Sequence, residues 1–297
     1  MIPVTGPDAR AGTLYVVATP IGNLGDLSPR AAEVLRTVRV VAAEDTRRTR
    51  KLYSHLGVPA PALLSLPAFE ERSRLAAVVE RLRAGEDVAL CTDAGTPGLS
   101  DPGAALVAAA WEARARVSPV PGPSAALAAL AASGFPGDRF LFAGFLPRKG
   151  VGREEGLAWV ARCRFTTVLY EAPNRAVKTL RDLARVLGDR PVLLAREITK
   201  LHEELLRGRL GQLAEAMEKR GEVKGEVTLV VAPPGPSGPA GSPEPVEEPL
   251  DAELRRRLAA GEGPSALARD VARRRGLKRS EVYDAVRGLR EEPDPEG

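Results

Sequence analysis

Leu90-Cys91-Thr92-Asp93-Ala94-Gly95-Thr96-Pro97-Gly98-Leu99-Ser100-Asp101-Pro102-Gly103 is the stretch on which the reading of this chain turns. The apolar run Val88-Ala89-Leu90-Cys91 leads in, and an alanine-rich helix from about Ala104 to Arg114 leads out. Strand, tight loop and helix in succession are the unit of a parallel α/β sheet, in which ligands bind at the carboxyl ends of strands. Gly95, Gly98 and Gly103 permit positive φ and a close approach to the backbone. Pro97 and Pro102 stiffen the loop, and Pro102 stands near a helix start, where its missing N–H costs little. Asp93 and Asp101 set carboxylates beside open backbone donors.

The rest of the chain repeats the theme. Thr13–Ala18 reads as a buried strand, and it ends in the Gly/Pro-rich run Thr19-Pro20-Ile21-Gly22-Asn23-Leu24-Gly25-Asp26. Ser28 then supplies an N-cap and Pro29 a first helical position. That helix carries Ala32, Val34, Leu35 and Val38 on one side. Neither loop is G-x-G-x-x-G with an acid at dinucleotide-binding spacing, and no Gly-Lys-Ser/Thr follows, which disfavours a Rossmann dehydrogenase or a nucleotide hydrolase. Val40–Ala43 is a further strand and runs straight into Glu44-Asp45-Thr46-Arg47-Arg48-Thr49-Arg50-Lys51. The cluster suits a helix dipole as a solvated start. At a strand's carboxyl end it equally suits phosphate contacts by Arg47, Arg48 and Arg50 and proton acceptance by Glu44 or Asp45.

Strands are also expected at Leu63–Leu66 and Val117–Val120. Pro121-Gly122-Pro123-Ser124 opens a small-residue helix over 125–132, read as buried, with Ser124 as N-cap and backbone donors able to face a polar ligand. A second series of strands follows at Phe140–Phe145, Thr166–Tyr170, Val192–Ala195 and Gly225–Ala232. The first ends in the basic loop containing Arg148 and Lys149. The organisation expected is an α/β fold with an N-terminal domain over 12–122 and a C-terminal domain over 123–232. A Pro/Gly-rich linker spans 233–249, where the composition cannot form a core, and a helical tail spans 250–290. The tail masses Arg273–Arg275 and Lys278–Arg279 at a turn between two helices, which resembles a helix-turn-helix and points to nucleic acid through Arg274, Arg275, Lys278 and Arg279.

Composition narrows the function classes. A net charge of +4 permits an anionic partner without requiring one. Aromatic content of 4% argues against a broad stacking platform. Cys91 and Cys163 read as buried thiols of a reducing compartment, with no disulfide framework, and His55 and His202 are too isolated to suggest a metal site. The first residues carry no basic-then-apolar signal and no run is long enough to span a bilayer, so a soluble cytoplasmic protein is expected.

Thr13–Asp26, Ala43–Arg47, Thr92–Pro97, Pro121–Ala125, Tyr170-Glu171, Arg196–Lys200 and Gly225–Val230 occur together in this order. As a set they resemble the 16S ribosomal RNA cytidine 2′-O-methyltransferase branch of the tetrapyrrole-methylase superfamily. The resemblance implies two α/β domains with S-adenosylmethionine in the cleft between them, a homodimer, and 16S rRNA or the small ribosomal subunit as partner. Carried over residue by residue, Asp93, Ala94, Gly95 and Thr96 would lie against the cofactor, Pro20 and Gly22 would border the cleft, and Ser124, Ala125, Tyr170 and Thr228 would close it. No metal is implied. Candidate proton acceptors are Asp45 and Glu44, with Lys200 a third if its amine were deprotonated; otherwise Lys200 pairs with Glu197 or Glu204. Where relatives carry a histidine-containing stretch after the third strand, this chain has Pro67-Ala68-Phe69-Glu70-Glu71, which offers no histidine base. Two alternatives remain at this stage: a tetrapyrrole or protein as acceptor, or RNA binding without catalysis.

Overall fold

The structure is a computed structural model that describes residues 8, 10–66, 72–221, 223–235, 250–275 and 277–291. Most of the expected linker (236–249) and the segment Pro67–Glu71 lie outside the described residues. The chain forms two compact units, Met1–Gly235 and Pro236–Gly297.

The first unit holds two five-stranded sheets. Sheet A contains β1 (Thr13–Val17), β2 (Val40–Ala43), β3 (Ala62–Ser65), β4 (Val88–Cys91) and β5 (Arg116–Val120), all parallel in the order β3-β2-β4-β1-β5. Helices α1 (Pro29–Thr37), α2 (Thr46–His55), α3 (Arg72–Arg83) and α4 (Ala104–Glu112) cover it. The two-residue side-chain period explains why its central strands are apolar throughout. In β4, Ala89 and Cys91 face the core shared with α1 and α2, while Val88 and Leu90 face the core shared with α3 and α4. Ser28 caps α1 by accepting from the Ala31 N–H, with Pro29 at the first turn. The buried stripe of α1 is Ala31, Val34, Leu35 and Val38, an i, i+3, i+4, i+7 set, so Ala31 takes the place expected for Ala32.

Sheet B contains β6 (Phe140–Phe145), β7 (Thr166–Glu171), β8 (Pro191–Arg196), β9 (Glu204–Arg209) and β10 (Val227–Val231), in the order β6-β7-β10-β8-β9. Only β6 and β7 are parallel. Its helices are α5 (Ala125–Ser133) on one face and α6 (Val151–Ala161), α7 (Ala176–Leu187) and α8 (Leu210–Arg220) on the other. Helix α5 is not buried all round: Ala126, Ala129 and Leu130 enter the core, whereas Leu127 is exposed. Strand β9 is an edge strand with alternating burial, absent from the sequence-based expectation because its Arg207 and Arg209 broke the apolar pattern.

The second unit packs α9 (Leu250–Ala259), α10 (Pro264–Arg275) and α11 (Arg279–Glu291) around Leu254, Leu267, Val271, Val282 and Val286. Arg257 links Glu253, Glu262 and Asp270 within it. Among the described residues no helix is long and apolar enough to cross a membrane.

Candidate active site

In sheet A, β4 lies between β1 and β2, and the loops leaving these strands part above it, which is where an open parallel sheet makes its crevice. Loops after β1, β2, β4 and β5 meet the ends of β6 and β7 and the start of β10 around a cavity of about 400 Å³.

The loop after β4 forms its floor. Thr19 and Gly95 exchange both backbone hydrogen bonds, at 2.9 and 3.0 Å, and the Thr19 hydroxyl donates to the Thr92 carbonyl at 3.1 Å. Gly95 has φ of +87°, a region costly for residues with a side chain. The Thr96 hydroxyl donates to the Pro123 carbonyl at 3.1 Å, tying the loop to the start of α5. Ser124 occupies the N-cap position, but its hydroxyl makes no capping bond: it is buried on the cavity wall near the Tyr170 hydroxyl, without a hydrogen bond of good geometry among the described residues. Tyr170 closes that side, its hydroxyl accepting from the Ala126 N–H at 3.2 Å and its ring between Phe142 and Phe145. Burial raises the proton affinity of the Tyr170 phenol. Ala94, Ala125 and Thr228 complete this part of the lining.

Carboxylates dominate the opposite part. Glu44, Asp93, Asp101 and Glu226 all line the cavity, with Arg48 among them. Glu44 accepts from the Asp93 N–H at 3.1 Å, and Asp93 accepts from the Asp45 N–H at 3.0 Å, so the ends of β2 and β4 are laced together. Arg48 pairs with Asp93 at 3.3 Å. Asp45 turns the other way. It caps α2, accepting from the Arg47 N–H at 2.8 Å and pairing with the Arg47 guanidinium at 2.7 Å. The Arg47 side-chain hydrogen bonds, with the backbone bond, hold its carboxyl far below the usual range. It does not line the cavity, so of the two adjacent acids Glu44 faces the site.

Lys200 is also engaged elsewhere. Its ammonium donates to Glu197 at 2.8 Å and pairs with Glu226 at 3.2 Å, while Glu204 pairs with Arg196 and Arg220. Burial alone would weaken its hold on the proton, but these acids outweigh it and the net proton affinity rises. The Lys200 amine is thus held in its protonated form, the opposite of the deprotonated state that a lysine base would need. Its stem packs on Gly22, where a Cβ would fall 2.3 Å from Lys200 Cγ. Gly22 thus brings the loop after β1 against the loop after β8, where Glu197 and Thr199 hold φ of 53° and 66°. Gly22 lines no part of the cavity; Ile21 does, and Pro20 lines a smaller one of about 100 Å³ that shares Arg48 and Asp93.

Asp101 is the residue that sequence reading left without a role. Burial pushes its carboxyl up to about 7, and the charges of Glu44, Asp93 and Glu226 add to the shift. The adjacent Ser100 holds φ of 65° and packs on Gly144, where a Cβ would lie 2.9 Å from the Ser100 hydroxyl. A strained residue beside a like-charge cluster is a functional signal, but only the fold brings these four acids together.

The basic residues are outward. Arg47 and Arg50 are exposed on α2, and Arg148 and Lys149 in the loop between β6 and α6. In the second unit Lys278 and Arg279 are exposed, with Lys278 3.8 Å from Glu281, and the side chains of Arg274 and Arg275 lie outside the described set. Cys91 is buried, its thiol pushed up to about 12 by burial, whereas Cys163 is only half-buried. Among the described residues no group of three or more His, Cys, Asp or Glu is arranged to hold a metal ion.

Residues 13–214 match the family of Tetrapyrrole (Corrin/Porphyrin) Methylases. The ribosomal RNA small subunit methyltransferase I of Micromonospora olivasterospora is 46% identical over 98% of this chain and 91% of its own length. That of Synechocystis sp. is 45% identical over 92% and 96%. The fold is similar to that of uroporphyrin-III C-methyl transferase from Thermus thermophilus complexed with S-adenyl homocysteine, with a TM-score of 0.53 and 21% identity over 74% of this chain and 97% of that one.

Proposed function

The chain belongs to the tetrapyrrole (corrin/porphyrin) methylase family, in the branch of the ribosomal RNA small subunit methyltransferases I, and from that premise we propose that it transfers a methyl group from S-adenosylmethionine to the ribose 2′-hydroxyl of a cytidine in 16S rRNA. The observation that carries this is the cavity where the carboxyl-end loops of sheet A meet sheet B.

The lining suits the cofactor. About 400 Å³ lies in the range that encloses a small ligand. The Ser124 hydroxyl offers a buried polar contact, and Gly95 lets a ligand approach the backbone. Glu44, Asp93, Asp101 and Glu226 supply negative potential to a cation. When bound, S-adenosylmethionine supplies an electrophilic methyl group on a positively charged sulfur. Ser124, Ala125, Thr228 and the Asp93–Thr96 loop hold it, and Tyr170 with the Phe142 and Phe145 rings walls it off from water. Alignment of the acceptor oxygen is the chief task of such a site. Titration calorimetry with S-adenosylhomocysteine tests this half of the reading: one site per chain is expected, and absence of binding contradicts it.

The acceptor must reach a cleft, so the RNA is single-stranded or splayed at the target. Arg47, Arg48, Arg50, Arg148 and Lys149 contact its phosphates, with Arg274, Arg275, Lys278 and Arg279 of the second unit as a further anchor. The substrate is the small ribosomal subunit or its rRNA in the cytoplasm, and the enzyme works as a homodimer, for which the exposed Leu127 and Leu205 offer apolar surface. Removing one phosphate contact should flatten the salt dependence of single-stranded RNA affinity. In R50A the slope of log K against log salt is expected to shrink by about 0.7. Fluorescence titrations across a salt series check this, and an unchanged slope removes Arg50 from the interface.

A further inference from the structure

Five acids line the cavity: Glu44, Asp93, Asp101, Glu171 and Glu226. Four are committed. Glu44 accepts from Asp93 N–H, Asp93 accepts from Asp45 N–H and pairs with Arg48, and Glu226 pairs with Lys200. Glu171 is held by Arg175, by the Thr179 hydroxyl at 2.5 Å and by the Ala172 N–H at 2.7 Å. Asp101 alone has neither a hydrogen bond nor an ion pair among the described residues, and it is half-buried on the wall.

We propose that Asp101 is the general base of the methyl transfer, a role that rests on the function proposed above. Geometry supports it before any titration does. Pro102 and the left-handed Ser100 fix the backbone on either side, and Ser100 is wedged against Gly144 at the end of β6. The carboxylate is therefore held where the two sheets converge. A hydrogen-bond donor on its oxygens would lower its affinity for a proton, and among the described residues Asp101 has none.

The charged and titratable groups on the cavity wall with it are Glu44 from the end of β2, Asp93 from the end of β4, Glu226 from the start of β10, Tyr170 and the Arg175-paired Glu171 from β7, and Arg48 from α2. Burial disfavours its anion most, the charges of Glu44, Asp93 and Glu226 add to this, and Arg48, paired with Asp93, does not reverse it. The proton affinity that results, near 7, is the value at which a base is both ionised and strong enough to act at neutral pH. In the step, a lone pair of the ribose 2′-oxygen forms the new bond to the methyl carbon as the carbon–sulfur bond breaks and its electron pair returns to sulfur. The hydroxyl proton passes to a carboxylate oxygen of Asp101 and from there to solvent. The positive charge of the sulfonium is lost as that proton is released, so charge balances.

The test compares the full-length chain with D101N and D101E in single-turnover methyl transfer to small ribosomal subunits, product nucleosides resolved. D101N removes the base without removing volume or a hydrogen bond. It is expected to lose about 10²–10⁴-fold in rate while still binding S-adenosylhomocysteine and melting no lower than the unmodified chain. The unmodified rate should rise with pH through an ionisation that D101N lacks and D101E retains, one that falls below the ligand-free value because a bound sulfonium favours the carboxylate anion. A readout independent of activity is the carbon-13 carboxyl resonance in the ligand-free protein: one aspartate titrating near 7, absent in D101N. D101N turning over within about threefold of the unmodified chain, or no such resonance, overturns the assignment while leaving the function standing. An unmodified chain that makes no 2′-O-methylated nucleoside overturns the function, and this base with it.

Discussion

Replacing Arg153 by methionine is expected to cost the first unit about 3–5 kcal/mol, the loss that follows when one partner of a buried ion pair is removed. Arg153 on α6 is 2% exposed. Its guanidinium pairs with Asp182 at 2.7 Å, donates to the Thr179 hydroxyl at 2.9 Å and to the Pro147 carbonyl at 3.1 Å. Thr179 in turn donates to Glu171, so one cation braces α6, α7 and the end of β7 that walls the cavity. Burial pushes the Asp182 carboxyl up, but hydrogen bonds from Lys178 and Arg153 outweigh it and hold the group below its ordinary value. A depressed carboxyl stabilises the fold above its unfolded pKa and loses that contribution as pH falls through the folded value. Urea unfolding should show R153M less stable at neutral pH and with a weaker loss toward acid. The pair R153M/D182L should recover most of the difference, since two apolar groups leave no buried charge stranded and the Lys178 ammonium released from Asp182 is exposed to water. A neutral R153M would mean that the brace contributes nothing.

Replacing Ala125 by tryptophan is expected to weaken S-adenosylhomocysteine binding about a hundredfold or more, a loss of about 2.7 kcal/mol. Ala125 is the first residue of α5 and lines the cavity, so an indole there occupies the ligand's space. It is only half-buried in the absence of ligand, and overpacking of the core, which typically costs about 1–3 kcal/mol, should be small at such a position. Calorimetry and thermal melting together separate the two effects. Unchanged affinity in A125W would move the ligand away from this cavity.

What could be read in the sequence was local. Gly95, Gly98 and Gly103 take the positive φ expected of them, Ser28 and Pro29 open α1 as expected, and the apolar runs became the strands of both sheets. The resemblance pointed to Asp93, Ser124, Tyr170 and Thr228, and position at a strand end pointed to Glu44; the fold gathers all five round one cavity. The failures involve direction and pairing. Nothing local tells Glu44 from Asp45, yet one faces the cavity and the other caps a helix. The contact of Gly22 with Lys200 joins loops of different sheets, and the like-charge crowding around Asp101 draws on three separate segments, the end of β2, the loop after β4 and the start of β10. Such long-range juxtapositions are set by topology, which no window of sequence contains. Helix α5 misled in the other sense: a run of Ala and Leu has no polar face to mark the side that carries Leu127 outward.

The chain of cause thus runs from glycine-bearing loops at strand ends, through two sheets that bring those loops together, to a cavity with a polar floor and an acidic wall. Its central claim is tested most directly by methyl transfer from labelled S-adenosylmethionine to small ribosomal subunits and to naked 16S rRNA, with the nucleosides separated. The account predicts label in 2′-O-methylcytidine. Label in a base-methylated nucleoside, or none in RNA while S-adenosylhomocysteine still binds, would contradict it.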